Sequence, residues 1–519
     1  MPNSDDLKQT IHSAFDFSGP AIVLGAAKLV DDVLKDAQIK APLKMFNRHG
    51  LIAGATGTGK TKTLQRMAEE LSRNGVPSLL MDIKGDLSGI ARPGVANEKV
   101  NERHAKIGLE WSPMACPVEF LSISEEKGVR LRATISEFGP VLLSRMLDLN
   151  ATQSGVLSVI FKYCDDRQMP LLDIKDLRKV CQYLQTDEGK KEISSDYGLV
   201  STASLGAIMR SLLELEQQGA DRFFGERSFD VNDLLRQDTQ GHGYCNIIRL
   251  TDLQSKPQLF STFMLCLLAE IYDTFPEQGD MDKPRLCLFI DEAHLIFDHA
   301  SKELLAQITT IVKLIRSKGV GLFFITQDPT DVPEEVLGQL GMKVQHALRA
   351  FTEKDRKAIK MIAENFPPSD FYRTSELLTA LGIGEALVTI LDEKGVPTPL
   401  VHVMLASPRS RMDILTEDEI DNLVDHSELA GIYNEEIDRD SAFEMLSRKL
   451  EEHRNDTEAG EGGKHTGTEG KKRANEKSTI EKVLEHSATK VVLKEVARGL
   501  LGVLGIRSTT RKKTNSSWF

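Results

Sequence analysis

Short apolar runs alternate with amphipathic stretches along most of the chain, and this pattern predicts a mixed α/β fold. Between the first two runs, residues 63–73 repeat apolar side chains every three or four positions, which predicts a helix. The continued alternation favours a mostly parallel sheet covered by helices on both faces. The apolar runs that predict strands lie at 51–53, 77–83, 244–250, 285–290, 319–325, 344–350, 385–391 and 400–404.

The pattern changes along the chain in ways that predict segment boundaries. From about residue 137 to 220 the spacing is helical throughout, with Asp173 and Ser201 as candidate N-caps. Residues 453–478 contain no aliphatic or aromatic hydrophobic side chain of the core-forming types, which predicts disorder. The predicted segments are a small N-terminal subdomain (1–45), a first core part (46–136), a helical insertion (137–240), a second core part (241–410), a helical segment (411–452), a disordered linker (453–478), and an amphipathic helix with a basic tail (479–519).

Composition narrows the class of protein. The 519 residues are 40% hydrophobic and 27% charged, which is typical of globular proteins. No apolar run approaches the ~20 residues that a membrane-spanning helix needs, and the N-terminus shows no signal peptide. The net charge of −12 argues against a surface that coats nucleic acid, although a ring with a few basic loops stays compatible with it. We expect a cytoplasmic location, because the cysteines are scattered without a CxxC pair; they are Cys116, Cys164, Cys181, Cys245, Cys266 and Cys287.

Residues 54–61 read GATGTGKT and match the phosphate-binding motif G-x-x-x-x-G-K-[ST]. A predicted strand precedes the motif and a predicted helix follows it, so backbone N–H groups and the helix dipole should converge on a phosphate. We expect Lys60 to reach the β- and γ-phosphates of ATP and the Thr61 hydroxyl to bind Mg²⁺. The predicted nucleotide-binding residues are Gly54, Ala55, Thr56, Gly57, Thr58, Gly59, Lys60, Thr61 and Lys62.

A second apolar run, LCLFI at residues 286–290, ends in Asp291 and Glu292. Downstream of a phosphate loop, this pattern predicts that Asp291 holds Mg²⁺ and that Glu292 activates the attacking water. Gln327, at the end of the next strand, is a candidate sensor of the γ-phosphate. Asp82 and Asp86 follow another strand; they could lie near Mg²⁺ or could cap a turn.

The letters of residues 291–294, DEAH, also occur in superfamily-two helicases. The sequence lacks the later Q-x-x-G-R-x-G-R element of those enzymes and a second RecA-like half, so this reading is discounted. His294 then has no predicted role beyond that of a polar residue at the start of a helix.

Taken in order, these motifs resemble the FtsK–HerA superfamily of ring ATPases, and most closely the HerA-like bacterial subgroup of the YjgR type. The resemblance covers about residues 15–405 and the C-terminal helix. It implies a RecA-like P-loop NTPase fold in a homo-hexamer that hydrolyses ATP with Mg²⁺ and moves along DNA. The matching stretches are 47–50, 54–61, 82–88, 139–145, 286–292, 316–329 and 347–352.

In such rings an arginine of the neighbouring subunit stabilises the transferring phosphoryl group. The resemblance places Arg316 at the position of this arginine in the FtsK branch, and Arg349 is the other candidate. The sequence leaves the choice open.

Three functions compete at this stage. DNA translocation follows from the resemblance alone, because the loops show no dense basic cluster interleaved with aromatic residues. A protein-remodelling or assembly ATPase with an unidentified protein partner is favoured by the acidic balance, the helical insertion and the predicted flexible tail. A nucleotide-gated scaffold that barely hydrolyses ATP ranks last, since Glu292 is present.

Overall fold

The structure, a computed structural model, describes residues 3–461 apart from 254–255, 280, 298–301, 436 and 438. The described residues form two compact units. The first unit contains the described parts of 1–132, 218–223 and 227–436, and the second contains those of 133–217, 224–226 and 437–461. The predicted helix and basic tail at 479–519 lie outside the described residues.

All strands of the described chain belong to one twelve-stranded sheet in the first unit. They are β1 (Ala21–Leu29), β2 (Asp32–Pro42), β3 (Gly50–Ala53), β4 (Ser78–Asp82), β5 (Val118–Ser122), β6 (Val129–Arg130), β7 (Cys245–Arg249), β8 (Leu286–Ile290), β9 (Val320–Thr326), β10 (Met342–Gln345), β11 (Glu385–Thr389) and β12 (Val401–Leu405). Their order across the sheet is β2-β1-β12-β11-β10-β3-β9-β8-β4-β7-β5-β6.

The helices of the described residues follow the strands in the alternation that the sequence predicts. They are α1 (Ser4–Ala14), α2 (Lys60–Arg73), α3 (Glu98–Ile107), α4 (Ile135–Met146), α5 (Ala151–Asp166), α6 (Ile174–Tyr183), α7 (Asp187–Tyr197), α8 (Thr202–Gln217), α9 (Pro257–Thr274), α10 (His294–Phe297), α11 (Lys302–Leu314), α12 (Glu334–Leu337), α13 (Glu353–Glu364), α14 (Thr374–Ala380), α15 (Glu417–Asp425), α16 (Glu428–Tyr433) and α17 (Ala442–Glu461).

The sheet is parallel from β10 to β6 and antiparallel from β2 to β10. Every residue of β3, β4, β8 and β9 is buried, which explains why these strands read as continuous apolar runs. The mostly parallel α/β fold predicted from the alternation is thereby confirmed.

Aromatic packing supports the central strands. The ring of Phe323 on β9 stacks on Phe289 of β8 at 4.9 Å and lies 5.5 Å from the ring of Phe46. All three rings are fully buried, and each contributes about 2–3 kcal/mol through removal from water. Gly50 allows β3 to approach this cluster, since a Cβ there would lie 2.6 Å from the Phe323 ring.

The N-terminal residues differ from the expectation of a small separate subdomain at 1–45. Strands β1 and β2 lie at the edge of the large sheet, because β1 pairs with β12 in an antiparallel register that sets Gly25 opposite Leu405. A Cβ on residue 25 would lie 2.1 Å from the carbonyl oxygen of Met404. This glycine therefore permits a pairing that spans almost the whole chain and leaves no trace in local sequence.

The second unit is helical in its described residues and contains α4–α8 and α17. Asp173 caps α6 by accepting a hydrogen bond from the Asp176 N–H, which confirms the predicted N-cap. Asp176 in turn accepts a hydrogen bond from the Phe443 N–H at 2.9 Å and so links α6 to α17. The unit corresponds to the helical insertion predicted for 137–240, but residues 218–223 and 227–240 belong to the sheet unit.

Two other segments differ from the predicted division. The helical segment at 411–452 is divided, with α15 and α16 in the sheet unit and α17 in the helical unit. Helix α17 also continues to Glu461, into the stretch 453–478 for which we predict disorder. Its last residues include Glu, Arg and Ala, which favour helix without an apolar stripe, so the composition that suggests disorder also allows a helix to continue.

No described helix is long and apolar enough to cross a membrane. The six cysteines all lie among the described residues; they form no disulfide, and five of them are buried.

Candidate nucleotide-binding site

The phosphate-binding motif lies in the turn between β3 and α2, at the carboxyl edge of the parallel strands. The Gly54 N–H donates to the carbonyl of Thr326 at 3.2 Å, and the Ala55 N–H donates to the carbonyl of Ala347 at 2.8 Å. These bonds tie the turn to residues at or just beyond the ends of β9 and β10, the neighbours of β3 in the sheet. Helix α2 begins at Lys60, so its unpaired N–H groups point toward the turn.

All three glycines of the motif have positive φ angles, which residues with a side chain rarely adopt. Gly54 has a φ of +150°, and a Cβ there would lie 2.5 Å from the Cβ of His346. Gly57 has a φ of +78°, with no neighbouring atom within 4 Å of its ideal Cβ position. The backbone at Gly57 is therefore open to the approach of a phosphate group.

Lys60 is buried at the base of the turn. Its Nζ donates to the carbonyl oxygens of Gly54 at 2.6 Å and Ala55 at 3.2 Å. Burial and the nearby Lys84 ammonium group lower the pKa of Lys60, whereas Glu292 and Asp291 act in the opposite direction. The charges of the phosphate loop and of the acid pair therefore influence each other.

The other polar residues of the motif divide between the turn and its support. The Thr58 hydroxyl donates to the Ala55 carbonyl at 2.7 Å within the turn. Thr61 lies half-buried on the first turn of α2, where its hydroxyl can serve as a metal ligand. Lys62 donates instead to the carbonyl of Met412, and so ties α2 to the segment after β12.

The register of β4 and β8 brings the acid pair to this edge. The two strands are parallel neighbours with Met81 opposite Ile290, so the residues that follow them lie side by side. Burial raises the pKa of Asp291 to about 6, and Lys84 opposes that shift. One Asp291 oxygen accepts a hydrogen bond from the Glu292 N–H at 2.9 Å.

The two carboxylate oxygens of Glu292 have different neighbours, and only Oε1 has a strong partner. Oε1 forms an ion pair with Lys84, and Oε2 lies 3.2 Å from His294 Nδ1. The Glu292 backbone has a φ of +48°, which is uncommon for a residue with a side chain. His294, for which the sequence predicts no role, thus contacts the candidate base.

Asp82 caps a turn, one of the two alternatives left open for it. Its carboxylate accepts hydrogen bonds from the N–H groups of Gly85, Asp86 and Leu87 at 2.7, 3.1 and 3.2 Å. Burial and the neighbouring Asp86 nevertheless raise the pKa of Asp82 to about 7. This turn carries Lys84 toward the acid pair.

Asp82→Asn is expected to gain stability relative to the wild type as the pH rises from 5 to 8. Asp82 ionises near pH 7 when folded and near pH 4 when unfolded, so its folded pKa is raised. The folded protein binds the extra proton across this window, and its stability therefore falls with rising pH until about pH 7. Of the ~4 kcal/mol that this pKa difference represents, about 2–3 kcal/mol falls inside the window.

Urea unfolding of both proteins at pH 5 and at pH 8 checks this. The difference in unfolding free energy between variant and wild type should shift toward the variant by about 2–3 kcal/mol. An identical difference at both pH values would show that Asp82 does not titrate there.

The structure brings Gln327 to the phosphate loop and separates the two candidate arginines. The Thr56 hydroxyl donates to the Gln327 side-chain oxygen at 3.2 Å. Arg349 is exposed and follows β10, two residues after Ala347, so it lies at the edge of its own phosphate loop rather than on the predicted strand 344–350. Arg316 is exposed in the turn before β9, at the opposite end of that strand.

Three residues near the phosphate loop are not among the predicted site residues; they are Lys84, His346 and Arg103. Lys84 lies within the stretch 82–88, but no motif assigns a charge there. The backbone N–H of His346 donates to the Ala53 carbonyl at 2.7 Å. The ring Nε2 atom of His346 lies 3.0 Å from the Thr63 hydroxyl. Arg103, which lies far from the loop along the sequence, contacts the segment against which the loop rests.

Arg103 acts through the segment that precedes β11. The Gly384 N–H donates to the carbonyl of Thr58 at 2.9 Å, and the carbonyls of Gly384 and Ile383 accept hydrogen bonds from the Arg103 guanidinium at 3.0 and 2.8 Å. One arginine thus fixes the segment against which the phosphate loop rests.

We expect Arg103→Ala to weaken ATP binding about 5- to 20-fold, because each lost charge-assisted hydrogen bond leaves a carbonyl without its donor and loosens this segment. Isothermal titration of the variant with ATP and Mg²⁺ measures the effect. Lys99→Ala is the matched control, since Lys99 is exposed on the same helix α3. Equal affinities for the two variants would show that the phosphate loop does not depend on Arg103.

The residues present fit a magnesium–nucleotide complex. Carboxylate and hydroxyl oxygens are the ligands that Mg²⁺ prefers, and Asp291 and Thr61 supply one of each. The two share an edge with the glycine turn, whose backbone is open at Gly57. Asp291 is 3% exposed and has no hydroxyl or ammonium group in hydrogen-bond contact among the described side chains, so a metal ion would compensate its buried charge.

The fold and this edge define a RecA-like P-loop protein with a candidate site for a nucleoside triphosphate. The chain belongs to the helicase HerA-like C-terminal family, whose model matches residues 27–511. This confirms the family resemblance seen in the sequence.

Two curated relatives carry the name DNA double-strand break repair helicase HerA. The protein of Saccharolobus solfataricus is 23% identical over 359 residues, which are 68% of this chain and 64% of that protein. The chain therefore matches less than two thirds of that relative's length. The protein of Sulfolobus acidocaldarius is 20% identical over 409 residues, 74% of this chain and 69% of that protein.

Solved structures agree on the fold. The unbound bacterial conjugative coupling protein TrwBdeltaN70 superposes with a TM-score of 0.51 at 14% identity, covering 79% of this chain and 94% of that one. The plasmid coupling protein TrwB in complex with the ATP analogue ADPNP gives the same TM-score and identity, covering 78% and 94%. At this identity the likeness concerns the fold alone.

Proposed function

We propose that the protein hydrolyses ATP in the presence of Mg²⁺. One observation carries this: the glycine turn with Lys60 and the pair Asp291–Glu292 meet at one edge of the sheet, close enough that Asp291 and Glu292 influence the pKa of Lys60. A loop that binds phosphates and a carboxylate that can take a proton from water are the two parts that hydrolysis requires.

The residues divide the reaction between them. Lys60 and the loop N–H groups hold the β- and γ-phosphates, and Gln327 contacts the loop where it can sense the γ-phosphate. Glu292 accepts a proton from a water molecule whose oxygen bonds to the γ-phosphorus, while the bond from that phosphorus to the β–γ bridging oxygen breaks and ADP leaves with phosphate. Mg²⁺, when held by Thr61 and Asp291, would neutralise charge on the phosphate oxygens.

We further propose that the chain acts as a homo-hexameric ring that moves along or unwinds DNA. The family membership and the HerA helicase names of the relatives support this. A cytoplasmic location is consistent with six cysteines that form no disulfide.

ATP turnover measured with and without DNA tests both parts. We expect turnover to rise with duplex or single-stranded DNA at low salt, to lose that stimulation steeply as salt increases, and to vanish in Lys60→Ala. The solution mass, measured in the same buffer, should be six times that of the chain. Turnover that no DNA form stimulates would overturn the DNA part and favour a protein-remodelling ATPase; absent turnover under all conditions would overturn the whole proposal.

A further inference from the structure

Lys84 stands beside the acid pair although no part of the proposed reaction uses it. It follows β4 by two residues, and the parallel pairing of β4 with β8 sets it next to Asp291 and Glu292. Its ammonium group forms an ion pair with Glu292 Oε1 and lies 4.0 Å from Asp291 Oδ2. One lysine is therefore the nearby positive charge for two adjacent carboxylates.

The burial of these carboxylates explains why a cation is needed. The side chains of Asp291 and Glu292 are 5% and 7% exposed, whereas that of Lys84 is 35% exposed. Two buried negative charges side by side are unstable without a counter-charge. Lys60 does not form an ion pair with them, since its Nζ donates to the carbonyls of Gly54 and Ala55.

The same ion pair restrains the candidate base. A carboxylate oxygen that an ammonium group already occupies is not free to receive a hydrogen bond from a water molecule. Lys84 holds one oxygen of Glu292, and His294 Nδ1 lies 3.2 Å from the other. Glu292 must leave Lys84 before it can take a proton from water.

Lys84 has a second position available. Lys84 follows β4 and the phosphate loop follows β3 at the same carboxyl edge of the parallel strands, so both face the space beyond that edge. The Lys84 side chain is long and partly exposed, unlike the two buried carboxylates beside it. An anion bound at the loop would therefore attract Lys84 away from Glu292.

We propose that Lys84 is an internal counter-cation that restrains Glu292 in the nucleotide-free protein and moves to the terminal phosphate when a nucleoside triphosphate binds. This rests on the proposed ATP site, and it deepens that function by giving the site a means to distinguish triphosphate from diphosphate. It also links release of the base to the presence of the phosphate to be cleaved.

Two binding measurements on Lys84→Met test this without relying on turnover. Mn²⁺ alone, titrated by electron paramagnetic resonance without nucleotide, should bind at least about tenfold more tightly than to the wild type, because the competing ammonium group is gone. The ratio of ADPNP affinity to ADP affinity, from calorimetry at fixed Mg²⁺, should fall about tenfold, because a contact to the terminal phosphate is lost.

Matched variants separate charge from general damage. Lys84→Arg keeps the cation and should bind Mn²⁺ as weakly as the wild type. Lys127→Met removes a lysine that also serves two carboxylates, those of Asp421 and Asp425 at 3.2 and 3.1 Å, on an exposed surface, and should leave both measurements unchanged. Should Lys84→Met fail to fold, Lys84→Gln serves for the same titrations.

Wild-type Mn²⁺ affinity in the charge-removing variant, together with an unchanged ADPNP-to-ADP ratio, would overturn the proposal and leave Lys84 as a simple ion pair. Failure of the proposed ATP site looks different. In that case the wild type would bind neither ADPNP nor ADP. The Mn²⁺ titrations would still report whether the Lys84 ammonium group competes with a metal ion for the carboxylates.

Discussion

Glu292→Gln is expected to lower kcat for ATP hydrolysis about 10²- to 10³-fold, within the range that removal of a general base produces. The glutamine side chain has the same shape but cannot accept a proton from water. The affinity for ATP should change little, because Lys60 and the loop N–H groups hold the phosphates. Steady-state turnover and calorimetry on the same preparation check the two parts.

A control removes a carboxylate of the same sheet unit outside the site. Glu125→Gln serves, since Glu125 is exposed and paired with Arg222 at 2.8 Å. Its turnover should match the wild type. Full activity of Glu292→Gln would mean that another group takes the proton, and the acid pair would then need a new assignment.

The environment of Glu292 adds a second expectation for this variant. Glutamine carries no charge, so Lys84 loses its partner and becomes available to bound phosphate. If Lys84 restrains Glu292 as proposed, Glu292→Gln should bind ADPNP at least as tightly as the wild type. The variant would thus keep its full affinity for ADPNP while reacting more slowly, and simple damage to the site cannot produce that combination.

Local sequence was sufficient for the parts of the site that form within one element. The phosphate loop, with its glycines at 54, 57 and 59, is encoded by contiguous residues, and Asp291–Glu292 ends a strand that is buried and apolar throughout. The alternation of strands and helices predicts the parallel part of the sheet, because buried parallel strands are apolar on both faces.

Contacts between segments that are distant along the chain could not be predicted from local sequence. Gly25 permits the pairing of β1 with β12, and Arg103 supports the phosphate loop through Gly384, across 281 positions. Lys84 lies beside the acid pair only because of the register of β4 against β8. Each of these depends on which strands become neighbours, and neither residue type nor spacing encodes that order.

Arg316→Ala is expected to reduce kcat about 10³-fold with little change in ATP affinity, the effect typical of losing an arginine that stabilises the transferring phosphoryl group. In the proposed ring, Arg316 can reach a transferring phosphoryl group only on another subunit, because it lies far from its own phosphate loop. It precedes β9, whose seven residues span about 20 Å, whereas the phosphate loop lies at the far end of the strands. Burial and Arg316 together lower the pKa of His49, to about 4, which places the guanidinium near the start of β3.

Co-expression of two inactive variants tests this directly. In a ring that mixes Arg316→Ala with Lys60→Ala at random, about a quarter of the interfaces pair an intact Lys60 with an intact Arg316 of the neighbour. Mixed rings should therefore recover up to about a quarter of wild-type turnover, although each variant alone is inactive. If Arg316 served its own subunit, no interface would be complete and mixing would restore nothing.

Arg349 provides the matched comparison. It lies at the edge of its own phosphate loop, so a role in catalysis would be exerted within the subunit. Rings that mix Arg349→Ala with Lys60→Ala should therefore show no more turnover than their Arg349→Ala subunits supply by themselves. Recovery with Arg349→Ala and none with Arg316→Ala would reverse the assignment. Because both arginines are exposed, neither substitution leaves a buried cavity, and the contrast between the two mixtures reports on geometry rather than stability.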